Sequence, residues 1–252
     1  MINPMSLEGR TVLVTGASSG IGRETAVVLS KLGARLVLSG RNPERLQQTL
    51  DQLEARDHAV EVLELTPVPD LSGWMKGLAQ KVGGLHGLVH SAGINVTKPL
   101  PSLKPPDMRG ILEINVNAAV ELARAFRQRS VCAAGASIVF VSSIMALAGA
   151  PATVAYAASK GALNALTRSM AVELAREKIR VNTVAPGHVG TEMSDRLRDL
   201  LTPERYAMIE AAHPLGIGTA TDVAYAVAFL LAETGRWITG STLVVDGGFT
   251  AQ

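Results

Sequence analysis

The chain has one cysteine, Cys132, among its 252 residues. It therefore has no internal disulfide, no CxxC redox pair and no thiolate zinc site; Cys132 reads as a small core residue in a reducing compartment, and no metal site is expected. Blocks of like charge are also absent, since 24 Lys and Arg nearly balance 22 Asp and Glu and are spread along the chain. Neither a nucleic-acid surface nor an anionic-membrane surface is expected. The first residues, MINPMSLEGR, lack a basic start followed by an apolar stretch, so no secretory leader is predicted and a cytoplasmic protein is the simplest expectation. One segment, Ser130 to Ser159, carries no charge at all, but Gly135, Ser137, Ser142, Ser143, Gly149 and Pro151 interrupt it. It reads as a buried strand, a loop and a helix start rather than a membrane span.

What is present is alternation. Short β-branched runs recur as TVLVTG at 11, RLVLSG at 35, AVEVLEL at 59, GLVHSAG at 87, SIVFVSS at 137, IRVNTVAPG at 179 and STLVVDGG at 241. Stretches of helical length lie between them, including 22–32, 43–55, 106–129 and 154–176, and Asn42-Pro43-Glu44 supplies a cap, a first-turn proline and a first-turn acid. Strand-helix alternation predicts βαβ units. The nearly continuous apolar strands predict burial on both faces. The expected fold is thus α/β: one Rossmann-type domain over residues 1–252, a doubly wound parallel sheet of about seven strands with helices on both faces. Only 187–218, with Met193, Met208, three arginines and two prolines, falls outside the alternation. An insertion of that length is expected to be a substrate lid.

The first strand runs into TGASSGIGRETAVVL, with glycines at 16, 20 and 22. This is not the G-x-G-x-x-G spacing, and no Gly-Lys-Ser/Thr follows, so a Walker-type loop is excluded. The physics of the dinucleotide turn is nonetheless present. A strand that turns tightly into a helix presents free backbone amides and the positive end of the helix dipole to a pyrophosphate, and glycines keep Cβ atoms out of its way. The candidate phosphate cradle is Gly16, Ser18, Ser19, Gly20, Ile21 and Gly22. At the end of the second strand, where an acid would bind the adenine ribose, the sequence has Ser39, Gly40 and Arg41, with no acid before Glu44. Arg41, with Ser39 as an added donor, points to a 2′-phosphate and so to NADP(H), with NAD(H) the less favoured cofactor.

Tyr156 and Lys160 are four residues apart on a predicted helix and so share a face. A tyrosine of ordinary pKa, about 10, is a poor acid-base group near neutrality, and a neighbouring ammonium is expected to lower it. As an isolated pair they are unremarkable. Together with Gly-x-x-x-Gly-x-Gly after the first strand, Asn115 in EINVNAA, Ser143 thirteen residues before Tyr156, YAASK and PGHVGT at 186, they resemble, in order and spacing, the short-chain dehydrogenase/reductase family. The resemblance runs from Gly9 to Gly248. It implies that Tyr156 protonates a carbonyl oxygen as hydride arrives from the nicotinamide, and that Ser143 hydrogen-bonds that oxygen. It further implies that Lys160 holds the nicotinamide ribose and depresses the tyrosine, and that Asn115 holds a water beside Lys160. Thr191, with Pro186, Gly187 and the Val189 backbone, would support the carboxamide. Ser91, Ala92 and Gly93 would line the cofactor, and Glu64 and Leu65 would meet the adenine. Two positions depart from the family pattern. Ser91 in HSAG replaces the asparagine that ties the central strands, and Glu64 replaces an aspartate. His90 is expected to be a strand-end histidine.

The resemblance is strongest to reductases related to β-ketoacyl-acyl-carrier-protein reductase. Their carrier-docking arginines correspond to Ala134 and Glu177, which favours a free small-molecule ketone or secondary alcohol over a carrier-borne one. Ile144, Met145, Leu147, His188 and the lid would shape the pocket. The wider Tyr–Lys spacing of the family's enoyl reductases is missing, as is the separate substrate domain of its sugar-nucleotide epimerases. FVSSIM is not the G-x-S-x-G elbow of an α/β serine hydrolase. A non-catalytic NADP(H)-binding sensor or scaffold is the alternative of a different class, against which the complete Asn115, Ser143, Tyr156 and Lys160 set argues. The resemblance also implies a homotetramer, or a homodimer, joined through the helices that carry NVNAA and YAASK.

Overall fold

Alternate strand residues face alternate cores, and this decides how the layers form. The computed structural model describes residues 3–199 and 201–252, the side chains of 196 and 197 excepted. Its main sheet comprises β1 (Thr11–Thr15), β2 (Arg35–Gly40), β3 (Ala59–Val62), β4 (Leu85–His90), β5 (Cys132–Val141), β6 (Arg180–Pro186) and β9 (Thr242–Val245), in the order β3-β2-β1-β4-β5-β6-β9. Every ladder is parallel. Leu13, Val37, Leu88, Ile138, Phe140 and Val181 point to one face. They pack there against α3 (Leu71–Val82), α5 (Ala118–Phe126) and α6 (Val154–Leu174). Their sequence neighbours Val12, Val14, Leu36, Leu38, Val89 and Val139 point to the other. That face is covered by α1 (Gly20–Lys31) and α9 (Ala220–Leu231), with Leu46 of α2 (Pro43–Leu50) completing it. Each fully buried leucine or phenylalanine in these layers contributes about 1.5–3 kcal/mol.

The strand order reverses between β1 and β4, which opens a crevice beyond the carboxyl ends of the central strands. Three elements differ in extent from expectation. The helix at 43 stops at Leu50, not Ala55, although Asn42 caps it as expected by accepting from the Arg45 amide at 2.8 Å. The helix expected over 106–129 is broken: α4 (Pro105–Leu112) passes into α5 through a π-helical turn, Glu113–Asn117. The strand expected from 137 begins at Cys132, and the cysteine, packed against the core edge, is only partly buried.

After β6 the chain leaves the sheet and returns by 218 as a hairpin that carries two helices, α7 (Glu192–Arg198) and α8 (Pro203–Ala211). Its two ends are clipped together by β7 (Val189–Gly190) and β8 (Gly218–Thr219), which pair in parallel. His213, buried at its base, ties the two ends of the segment together and lies against the Phe249 ring, centroids 4.9 Å apart. The ring Nδ1 lies 2.7 Å from the Ile209 carbonyl, while Nε2 accepts from the His188 amide at 3.0 Å. Among the described residues no helix is long and apolar enough to cross a membrane.

Candidate active site

Four strand ends and one helix face converge at the crevice. The β1–α1 turn begins at Gly16, whose φ of +69° belongs to the left-handed region that glycine tolerates. A Cβ there would come within 2.6 Å of the Ala92 amide nitrogen, so the turn lies directly on the end of β4. A Cβ on Gly22 would meet the Gly16 carbonyl oxygen at 2.2 Å, so α1 is packed on the turn just as closely. Ser19, the N-cap residue of α1, places no side-chain acceptor on the first-turn amides. A positive helix end with no side-chain cap on its amides and a turn with glycine at 16, 20 and 22 fit a dinucleotide pyrophosphate. Ser18, Gly20 and Ile21 complete the turn. Ala92 and Gly93 continue from β4, while Pro186, Gly187, Val189 and Thr191 follow from β6, so these candidate cofactor residues share one crevice.

At the end of β2, Arg41 is largely exposed and forms a loose ion pair with Glu64 at 4.0 Å. Leu65 is buried beside it. Ser39 is 1 % exposed, its side chain buried against the covered face of β2. Ser18 is the neighbouring hydroxyl, with Oγ 3.5 Å from where a Gly40 Cβ would lie. Ser91 leaves the central strands joined by other means. The Thr15 hydroxyl and His90 Nδ1 are 2.9 Å apart across the ends of β1 and β4. Burial, and then the charge of Lys160, lower the His90 pKa to about 3, so His90 is a neutral structural link rather than an acid-base group.

The polar cluster hangs from β5, α6 and the π turn. Ser143, just past β5, accepts from the Met145 amide at 3.2 Å and caps a short 3₁₀ turn. The Ser142 hydroxyl donates to the Lys160 carbonyl at 3.0 Å, which fixes α6 against the strand end. Tyr156 and Lys160 lie one turn apart on α6, and Lys160 Nζ is 5.7 Å from the phenol ring centroid. The Asn115 amide donates to the Ile94 carbonyl and to the Ser159 hydroxyl, each at 3.0 Å, and its carbonyl accepts from the Ile94 amide at 2.9 Å. A Cβ on Gly93 would lie 3.1 Å from Asn115 Oδ1 and 3.5 Å from Lys160 Nζ, so the three meet at one point. A regular helix would rotate Asn115 away from that point. The π turn spends an extra residue to bring it there.

Electrostatics modify one expectation. Burial pushes the Tyr156 phenol above its ordinary value, with the Ser143 hydroxyl pulling the other way. The Lys160 ammonium is turned to the Val141 carbonyl, to which it donates at 2.8 Å. Burial lowers Lys160 itself to about 8. Between about pH 8 and 10.5 the unfolded chain therefore holds a proton on Lys160 that the folded one has released, and stability from this group rises with pH through that window. Lys160→Met is expected to remove up to about 3 kcal/mol of that rise, as read from urea unfolding of both proteins near neutral and at high pH. Equal pH slopes in the two would refute the assignment.

The seven-stranded parallel sheet with its switch-point crevice is a Rossmann-type fold, and comparison with known proteins gives its family. The family profile described as Enoyl-(Acyl carrier protein) reductase matches residues 16–250. A 3-oxoacyl-[acyl-carrier-protein] reductase of Rickettsia prowazekii is 37% identical over 97% of this chain and 98% of its own. Among solved structures, a short-chain type dehydrogenase/reductase from Mycobacterium ulcerans superposes with TM-score 0.88 at 30% identity, over 98% of this chain and 92% of that one. A protein of Agrobacterium tumefaciens described as a 2-deoxy-D-gluconate 3-dehydrogenase, with bound NADP, superposes with TM-score 0.84 at 28% identity over both full lengths. The chain belongs to the short-chain dehydrogenase/reductase family, whose oxidoreductases interconvert CH–OH and C=O groups.

Proposed function

We propose that this protein is an NADP(H)-dependent oxidoreductase acting on a free ketone or secondary alcohol, with Tyr156 as general acid and base. The observation that carries the reading is the convergence of Ser143, Tyr156, Lys160 and Asn115 beside a glycine turn shaped for a dinucleotide. The bound nicotinamide would supply or accept the hydride. Tyr156, kept protonated near neutrality by its burial, gives its proton to the carbonyl oxygen in the reductive direction and takes it back in the oxidative one. The Ser143 hydroxyl donates to the same oxygen as negative charge develops. Lys160, poised near 8, holds the nicotinamide ribose and passes protons toward Tyr156 from water near Asn115. Thr191 and the Val189 backbone support the carboxamide. The assembly we propose is a homotetramer or homodimer.

Cofactor choice rests on Arg41. Its pair with Glu64 is long and more than half exposed, so releasing Arg41 to a 2′-phosphate costs less than about 1 kcal/mol. Arg41→Ala is expected to cut the preference for NADPH over NADH roughly tenfold or more, measured as the ratio of their dissociation constants. An unchanged ratio would show that the 2′-phosphate is held elsewhere. The second reading is a carrier-borne 3-oxoacyl substrate, which the name of the Rickettsia relative favours. Against it stand Ala134 and Glu177, the latter neutralising Arg127 at 2.5 Å. The arginine-lined hollow of Arg127, Arg129 and Arg176 lies at the start of β5, at the opposite end of the strand from Ser143. NADPH oxidation with a panel of free ketones and with acyl-carrier-bound substrate separates the two readings, the first expecting turnover of free ketones.

A further inference from the structure

The segment that follows β7 does not stand clear of the glycine turn. A Cβ placed on Gly20 would meet the Thr191 side chain at 3.4 Å and Glu192 Oε2 at 3.5 Å. Thr191 leads into α7, its carbonyl accepting from the Asp195 amide at 2.9 Å and from the Ser194 hydroxyl at 2.8 Å. Glu192 is the first residue of that helix. Its carboxylate reaches across to two arginines of the nucleotide side, Arg45 of α2 at 3.4 Å and Arg23 of α1 at 3.9 Å. Arg23 is itself fixed in place: it donates to the Ser18 carbonyl at 2.6 Å and to the Thr49 hydroxyl at 3.2 Å. Thr49 in turn donates to the Ala17 carbonyl at 2.9 Å. One carboxylate from the 187–218 hairpin thus lies at the start of α1, hydrogen-bonded to Arg45 and in a looser ion pair with Arg23, the guanidinium that is bonded to the glycine turn.

We propose that Glu192 is an internal anion that latches the hairpin over the glycine turn and competes with the phosphates of the incoming dinucleotide. The proposal rests on the reading of residues 16–22 as the phosphate cradle and goes beyond it by naming what the cofactor has to displace. The physical argument is one of sign and place. The positive end of α1, Arg23 and Arg45 attract an anion, and in the free protein the carboxylate answers that attraction. A diphosphate entering the same place brings two further negative charges beside Glu192. Coulomb repulsion then loosens the carboxylate from its arginines or weakens the diphosphate. Glu192 is consequently a positioning residue for the hairpin that lowers affinity for the cofactor, and it acts equally on NADPH and NADH because the diphosphate is common to both. The same competition assists departure of the spent cofactor, since the latch can close again as the phosphates leave.

The test uses the whole chain as wild type, Glu192→Gln and Glu192→Asp, with NADPH and NADH as probes. At about 50 mM salt E192Q is expected to bind both nucleotides about 3–10-fold more tightly than wild type, and the gain is expected to shrink at about 500 mM, where exposed charges are screened. E192D, which keeps the charge, is expected to bind as wild type does. Without nucleotide, tryptic cleavage within 192–212 is expected to be faster in E192Q, because the latch is gone. If the wild type binds both nucleotides and E192Q binds them no more tightly, the competition is overturned while the dinucleotide reading stands. If the wild type binds neither, that reading and the competition fall together, and cleavage of E192Q no faster than wild type would remove the latch as well.

Discussion

Tyr156→Phe is expected to lower the rate of carbonyl reduction by about 10²–10⁴-fold, the contribution typical of a positioned general acid. The substitution removes one hydroxyl and leaves the ring. Lys160 would keep its place 5.7 Å from the ring centroid, bonded to Val141, and Ser143 would still cap its 3₁₀ turn. Dinucleotide affinity should therefore change little, so a fall in kcat at constant cofactor affinity is the expected signature. Single-turnover oxidation of NADPH with a ketone that the wild type reduces measures it. Equal rates in the two proteins would end the assignment of Tyr156 and favour a nucleotide-binding sensor.

The second large effect lies at a glycine. Gly22→Ala is expected to cost about 3 kcal/mol or more and to abolish measurable dinucleotide binding. The added Cβ would come within 2.2 Å of the Gly16 carbonyl oxygen, and Gly16 cannot retreat because it rests against Ala92, just past the end of β4. Strain at α1 is thus passed through the turn to β4, and the cradle deforms with it. Gly77→Ala is the control. Gly77 lies inside α3, nothing would stand within 4 Å of its Cβ, and alanine there should stabilise by about 0.5–1 kcal/mol. Thermal unfolding and nucleotide titration of the two variants decide whether position or residue type matters. A Gly22→Ala protein that binds normally would contradict the packing described for the turn.

The sheet was legible because its strands are apolar on both faces and are separated by helix-length segments, and each of the seven runs became a strand of the main sheet. The glycines at 16 and 22 were legible because close approach of backbone to backbone leaves glycine as the only residue that fits, and Gly20 because its φ of +50° lies in the left-handed region. Other features depended on distances that no local pattern encodes. Ser39 read as a donor from its position at a strand end, while its burial depends on the register of β2. The effect of Lys160 on Tyr156 followed from proximity, but the direction of the ammonium depends on the Val141 carbonyl, nineteen residues earlier. The pairing of Thr15 with His90 joins positions 75 apart, and only the adjacency of β1 and β4 gives His90 its role. Glu192 resembled any acid in the first turn of a helix. Its signal was its place directly after PGHVGT, and its partners Arg23 and Arg45 could be found only with the hairpin in position.

The π turn at 113–117 bears on how this protein would respond to selection in the laboratory. Such a turn behaves as one residue too many for a regular helix. Deleting one residue from that stretch would let α4 and α5 merge into a continuous α-helix with a full ladder of hydrogen bonds, while rotating Asn115 out of the cluster around Gly93. A library screened for heat resistance alone would reward the shortened chain, and one screened for turnover would reject it. Single-residue deletions here are therefore where the two screens should diverge most sharply.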